Sequence, residues 1–493
     1  MSLYDVSTIS LYAVLAWAQA DTLCGADDKS VYLPNSLDTS RPLPILIWLP
    51  GGSFIGGSAS ASGLDGAKMA TEQKMIVAFV QYRLGAFGWL QTKETLDETG
   101  GGAPCANKVA GNQAARDVTA ALHFVQQHFG ALGADTKRIT LSGQSSGAQM
   151  VRSLLTVPEA STLFQQALII SDTQNYGPAT QGSQNKMGNY VLKALNCSDI
   201  ACARSKSAEE VLDASCAAFS DVPSADGSLA VGSPWRPTQG QWMPHVLEEE
   251  PAAAFSSGAK KIVLTTISNE AGATAGSLFA KTTAHATELR YAHADNTSFP
   301  LAVALDRFFN QGRGDAMMKS SAYSKERETF SGTDDGLRTM LEIGATDGLW
   351  RCPTQRNAHQ LASHGSVWLA EHMLGYTYPS NSAVSYCRAS DKHCHEDDIY
   401  LIFGTLPGDS NHAQRAFSKE LRHRYGAFVR NGNPNALGYA QWDAIDGSST
   451  SSLKLLQGGS QSSGSSTIAR QQRPEMCGPL WGSSIYFDWQ LYS

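Results

Sequence analysis

The stretch Arg138 to Met150, RITLSGQSSGAQM, constrains this chain more tightly than any other. It opens as an apolar strand, Ile139-Thr140-Leu141, and runs on into a helix, Gln149 to Leu155. Between them lies Gly143-Gln144-Ser145-Ser146-Gly147, a G-x-S-x-G pattern. A strand that turns this sharply into a helix lifts one serine oxygen clear of the backbone. Bulky neighbours would collide in the turn, so glycines flank the serine. The helix that follows aims its free N–H groups at the serine, where negative charge can develop. Alone, the pentapeptide is a weak signal in a chain rich in glycine and serine. The strand–turn–helix context is what makes Ser145 the candidate nucleophile.

The rest of the chain supplies strands to stand beside this one. Pro44 to Leu49, PILIWL, is a continuous apolar run of strand length, the pattern of a strand buried on both faces. It leads into Pro50-Gly51-Gly52-Ser53-Phe54-Ile55-Gly56-Gly57, where bare backbone can approach a ligand. No Gly-Lys-Ser/Thr follows, so this is not a phosphate cradle. Further strands are read at 75–80, 167–170, 261–267 and 367–370. A helix is read from Gln113 to Phe129, with Val118, Ala121, Leu122, Val125 and Phe129 on one face and Gly130 as its cap. His123 and His128 lie in it five residues apart, poor spacing for a shared ligand. Strands alternating with helices indicate an α/β sheet. Residues 92–112 form a loop with few apolar side chains, and Gly458 to Thr467, GGSQSSGSST, is a low-complexity surface loop. There is no internal repeat and no shift of composition.

The chain has 493 residues, 42% hydrophobic and 17% charged, ordinary for a globular protein. A net charge of −7 argues against nucleic acid or an anionic membrane surface as partner. No apolar run reaches the roughly 20 residues that span a bilayer. Nine cysteines are too few for a disulfide scaffold and show no paired C-x-x-C zinc pattern. Two close pairs stand out, Cys197 with Cys202 and Cys387 with Cys394, and both spacings permit closure. Two sequons, at Asn196 and Asn296, join them in pointing to an oxidising compartment, secreted or extracellular; the cytoplasm is the alternative. Ile9 to Ala20 is a short apolar run ending in Ala18-Gln19-Ala20, as before a signal-peptidase cut. The first eight residues hold no Lys or Arg and do hold Asp5, so a buried first helix is an equal reading. Residues 1–20 are therefore set aside as a signal-like or truncated segment, and 21–493 as one domain.

A serine hydroxyl is a poor nucleophile at neutral pH and needs a base, which in turn needs an orienting acid. Glu270, in Ser268-Asn269-Glu270-Ala271-Gly272, follows the strand ending at Ile267, at the end where an open α/β sheet keeps its site. On spacing alone a surface-loop glutamate is the better reading. His395 lies in Cys394-His395-Glu396-Asp397-Asp398, with His393 its competitor two residues away. A Cys387–Cys394 bridge would pin that loop. Among twelve histidines, order alone does not choose.

Taken together, these stretches resemble the type-B carboxylesterase/lipase family, which includes the cholinesterases. Residues 45–57 are similar to its strand plus H-G-G-G-F loop, and Gln81 to Leu90, QYRLGAFGWL, to its Y-R-L-G segment. Ser142 to Ala148 resembles the G-E-S-A-G elbow, and Leu195 to Leu212, with Cys197 and Cys202, the disulfide-closed C-L-R segment. Ser268 to Gly272 resembles the acid loop, His395 to Gly404 the H-G-x-E-I-x-x-x-F-G segment, and Tyr425 to Trp442 the C-terminal F-x-x-x-G-x-P-N…W signature. The resemblance runs from about residue 24 to the end. It implies an α/β-hydrolase fold, a large mixed, mostly parallel central sheet flanked by helices. It implies Ser145 as nucleophile, Glu270 as acid and His395 as base, His395 being chosen because it stands nine residues before Gly404. The backbone N–H groups of Gly52, Ser53 and Ser146 would be the oxyanion donors. The implied reaction is hydrolysis of small or medium carboxylic esters through an acyl-enzyme, with no cofactor and no metal. Burial lowers and a glutamate raises the titration of such a histidine, so a midpoint near the ordinary value is expected.

The departures are specific. The usual elbow glutamate is Gln144 and the usual alanine Ser146; the third loop glycine is Ser53; the residue before the glycines is Pro50; the histidine loop reads H-E-D-D. The family's opening strands and a cysteine pairing there have no counterpart before Cys24, so Cys24 is expected unpaired and a lid is not expected. A lipase acting on longer acyl chains is the alternative reading. A non-catalytic recognition module is disfavoured, because all three triad residues are present.

Overall fold

The computed structural model describes residues 31–35, 41–97, 111–174, 176–225, 234–247, 249–278, 290–292, 298–300, 316–317, 319–330, 335–446, 454–456 and 477–482. Residues 1–20, Cys24, the Asn296 sequon, the 458–467 stretch and most of the 92–112 loop lie outside the described residues.

The strands are β1 Val31–Tyr32, β2 Leu43–Leu49, β3 Ile76–Phe79, β4 Ala134–Gln144, β5 Gln166–Ile170, β6 Lys261–Ile267, β7 Arg290–Ala292, β8 Ser298–Pro300, β9 Ser366–His372 and β10 Lys454–Leu456. Eight of them form one sheet in the order β1-β3-β2-β4-β5-β6-β9-β10, and β7 pairs with β8. β1 is antiparallel to β3; the other neighbours in the large sheet run parallel. This is the expected mixed, mostly parallel sheet.

The uninterrupted apolar runs follow from burial on both faces. Along β2, Ile45, Ile47 and Leu49 pack into one core while Leu46 and Trp48 pack into another across the sheet. Along β9, Val367 and Leu369 divide from Trp368 and Ala370 in the same way. A strand side chain removed from water in this manner contributes about 1.5–3 kcal/mol. The helix Gln113–His128 covers the first face with Val118, Ala121, Leu122 and Val125. The helix His412–Asn431 covers the second with Phe417, Leu421, Tyr425 and Phe428. One cap differs from expectation: the chain continues past His128 as a 3₁₀ turn, Phe129–Leu132, and Gly133, at φ 79°, ends it instead of Gly130.

The site's position follows from the strand order. The chain leaves β2 for β3 on one side, then crosses to β4 on the other. Such a reversal opens a crevice beyond the strands' C-terminal ends. In register, Leu49 of β2 lies opposite Gly143 of β4, so the loop after β2 and the turn after β4 emerge together.

Both close cysteine pairs are bridged, Cys197–Cys202 and Cys387–Cys394. A third bridge, Cys352–Cys477, closes a separation of 125 residues and was not expected from the sequence. It ties the helix Cys352–Ala362 to the turn Cys477–Gly482, whose Trp481 is fully buried. In the chain-entropy account a loop of this size is worth about 4–5 kcal/mol. Cys477→Ser is therefore expected to lower Tm by roughly 4–5 °C. Co-melting of variant and wild type, with no Cys352–Cys477 peptide in a non-reduced digest, would refute the bridge.

Candidate active site

Ser145 sits between β4 and the helix Ser146–Leu154, at φ 57° and ψ −126°. Few non-glycine residues hold such angles, and strain of this kind costs about 1–3 kcal/mol. The surroundings fix it. The Ser145 N–H donates to the Ile170 carbonyl of β5 at 3.0 Å, and its own carbonyl accepts from Gln149 N–H at 2.9 Å. A Cβ on Gly147 would stand 2.1 Å from the Leu49 carbonyl oxygen, so only glycine lets the elbow helix lie against the end of β2. The elbow helix is held from below by a buried ion pair, Arg152 Nε to Asp172 Oδ2 at 2.7 Å.

Of the two histidines, His395 meets Glu270. Its Nδ1 lies 2.5 Å from Oε2 of Glu270, while Oε1 of the same carboxylate accepts the Ile267 N–H at 2.9 Å. Glu270 is buried and His395 mostly so. Burial alone would lower the imidazole's titration. The charge and hydrogen bond of Glu270, with the charges of Glu396 and Asp398, outweigh it and hold the ring above its ordinary 6.5. His393 plays a different part: its backbone exchanges hydrogen bonds with Asn269, stitching the histidine loop to the acid loop. Asp397 and Asp398 do not compete for the ring. Asp397 accepts the N–H groups of Tyr378 and Cys394, and Asp398 pairs with His372.

The loop after β2 carries Gly52, Ser53 and Phe54 at positive φ, 125°, 52° and 61°. Phe54 anchors it, fully buried against Trp89 with ring centroids 4.7 Å apart. A Cβ on Gly51 would come within 2.9 Å of Ser145 Cβ, so loop and elbow are in contact. The N–H groups of Gly52, Ser53 and Ser146 donate to no other backbone group among the described residues.

Three contributors, Trp350, Asn381 and Arg351, carry no sequence signal. Trp350, in the π-helical turn Thr346–Arg351, packs its ring 5.7 Å from that of His395 and donates to the Ser171 carbonyl at 3.3 Å. Asn381 donates to the His395 carbonyl at 2.7 Å and to Asp397 at 2.8 Å. Arg351 braces the acid loop through the Ser268 carbonyl at 3.0 Å. Gln144 reaches His395 Nε2 with its amide nitrogen at 3.2 Å. No cluster of metal-ligating side chains occurs among the described residues, and no described helix is long and apolar enough to cross a membrane.

The chain is similar to known carboxylesterases and shares a fold with solved esterases. Carboxylesterase 5A of Ovis aries is 33% identical over 194 residues, 38% of this chain and 47% of that protein, so the match spans about half of that relative. Carboxylesterase 1E of Mus musculus is 24% identical over 444 residues, covering 85% of this chain and 71% of that protein. A solved PNB esterase superposes with a TM-score of 0.67 at 21% identity, covering 90% of this chain and 82% of the other, which shows a shared α/β-hydrolase fold. The model of the carboxylesterase family matches residues 30–475, from before β1 to beyond β10. With that match running across the whole sheet, the chain belongs to the carboxylesterase family.

Proposed function

We propose that this protein hydrolyses small or medium carboxylic esters through an acyl-enzyme on Ser145. The observation that carries the proposal is the 2.5 Å bond between Glu270 and His395, set beside a strained elbow serine and a loop of unengaged N–H groups. Ser145 Oγ attacks the ester carbonyl while its proton passes to His395 Nε2. Glu270 holds the opposite N–H and balances the charge of the imidazolium. The N–H groups of Gly52, Ser53 and Ser146 take the developing oxyanion, each such donor being worth about 2.7–4 kcal/mol in the transition state. The imidazolium then protonates the departing alkoxide, and the alcohol leaves. Water repeats the sequence against the acyl-enzyme and releases the acid.

The substrate is a small-molecule ester, as the family implies. A lipase reading has no specific observation in its favour. Three disulfides support an oxidising compartment, secreted or lumenal.

Ser145→Ala is expected to abolish ester hydrolysis and fluorophosphonate labelling with the fold intact by circular dichroism. Full activity in that variant, with the label on Ser146 or Ser142, would overturn the assignment.

The base must be neutral to accept the serine proton, and its acidic neighbours favour the charged ring. Activity is therefore lost as pH falls through a value above 6.5. kcat/KM for a neutral ester is expected to rise through one ionisation on the alkaline side of that value and then level. Glu270→Gln should cut the plateau by roughly 10³–10⁴-fold, because the ring loses its orienting partner and tautomer. Near-normal rates in that variant would remove Glu270 from the reaction.

A further inference from the structure

The elbow of this chain carries an amide where the resembling family carries a carboxylate, and that amide touches the base. Gln144 is fully buried, with Nε2 3.2 Å from His395 Nε2. The other ring nitrogen faces the Glu270 carboxylate and so carries the proton. In the neutral ring Nε2 is then a lone pair, and the amide N–H is the donor that meets it. The other end of the amide is unsatisfied. Gln144 Oε1 is buried without a hydrogen-bond partner among the described residues, and it lies where a Cβ on Gly51 would be 2.6 Å away. The side chain has thus turned its nitrogen to the histidine and left its oxygen against bare backbone. No described hydrogen bond joins Ser145 Oγ to the ring.

We propose that Gln144 is a positioning residue for the base: its amide N–H engages the Nε2 lone pair of resting His395, keeps the ring neutral, and yields that lone pair to Ser145 when substrate enters. The proposal rests on Ser145 and His395 being nucleophile and base. The physical reason is one of opposed donors. Protonation of the resting ring would put an N–H at Nε2 against the amide N–H. The charged groups facing the ring all pull the other way: Glu270 from the loop after β6, and Glu396 and Asp398 from the ring's own loop. The uncharged groups packed there are Gln144 from the elbow and Trp350 from the π-helical turn. A glutamate at 144 would add another carboxylate and favour the imidazolium in the resting enzyme.

The test follows the pH dependence of fluorophosphonate inactivation and the ¹⁵N ring signals of His395 in wild type, Gln144→Glu and Gln144→Met. Gln144→Glu should raise the midpoint by about one unit or more, the effect of an opposite charge at this range, and slow inactivation near pH 6 about tenfold, with the alkaline plateau largely retained. Gln144→Met, which keeps the volume and removes the donor, should raise it by less. Midpoints unchanged from wild type in both variants would overturn the proposal; should Gln144→Glu fail to fold, the unchanged midpoint of Gln144→Met alone does so. Wild type that never labels at Ser145 would instead sink the acyl-enzyme reading, while the ring titration would still report on the amide contact.

Discussion

The approach of two backbones fixes everything else at this site. Gly147 lies so close to the end of β2 that any side chain would strike the Leu49 and Pro50 carbonyls, and Gly143 lies equally close to Gly147 itself. This contact forces the chain to turn within one residue, and Ser145 absorbs the turn in an unfavourable conformation. Strain of about 1–3 kcal/mol persists there because the Ile170 carbonyl, the first helical turn and the buried core beneath the helix all hold it in place. The same contact brings the glycine-rich loop after β2 against the serine. One packing constraint therefore presents the hydroxyl and sets the loop N–H groups beside it.

Glu270 and His395 stand on loops, where precision is harder to maintain. Here it comes from polar cross-links. The acid loop is braced by Arg351 and stitched to the histidine loop through Asn269 and His393. The histidine loop is closed by the Cys387–Cys394 bridge and wound around Asp397, which accepts backbone N–H groups and the Asn381 amide. Below it, His372 is fully buried between Asp398 at 2.6 Å and the Tyr425 hydroxyl at 2.7 Å. Such a network rigidifies when its groups are satisfied and is costly when they are not. Arg351 itself sits between Asp347 and Glu371, two carboxylates that hold its guanidinium well above its ordinary titration despite burial.

The elbow residue beside the serine sets the electrostatic character of the site. Three carboxylates already favour the charged histidine. Burial opposes them, and the amide of Gln144 on the central strand adds no further charge at the ring. The glycine-rich loop after β2 shows a related compromise. Ser53 occupies a left-handed conformation that glycine adopts without penalty, and buried Phe54 holds the loop there.

The sequence by itself determined the sheet's inner strands and the elbow, whereas Glu270 and His395 were singled out only through the family resemblance. The strands and the elbow rest on signals carried by neighbours in the chain: continuous apolar runs at 45–49 and 75–80, and glycines spaced around Ser145. Tertiary structure decided what those residues meet. β1 and β10, of two and three residues, take their geometry from the strands they pair with and have no pattern of their own. Ile139 to Leu141 read as a short strand, yet β4 runs from Ala134 to Gln144, because Ser142 to Gln144, with no apolar pattern, pair with β5 and Ala134 pairs with Leu43 across a shift in register. The Cys352–Cys477 bridge, the ring of Trp350 beside His395, and the turn of the Gln144 amide toward Nε2 join positions far apart in sequence. No local spacing records such contacts, since they exist only once the sheet has placed its loops at one end.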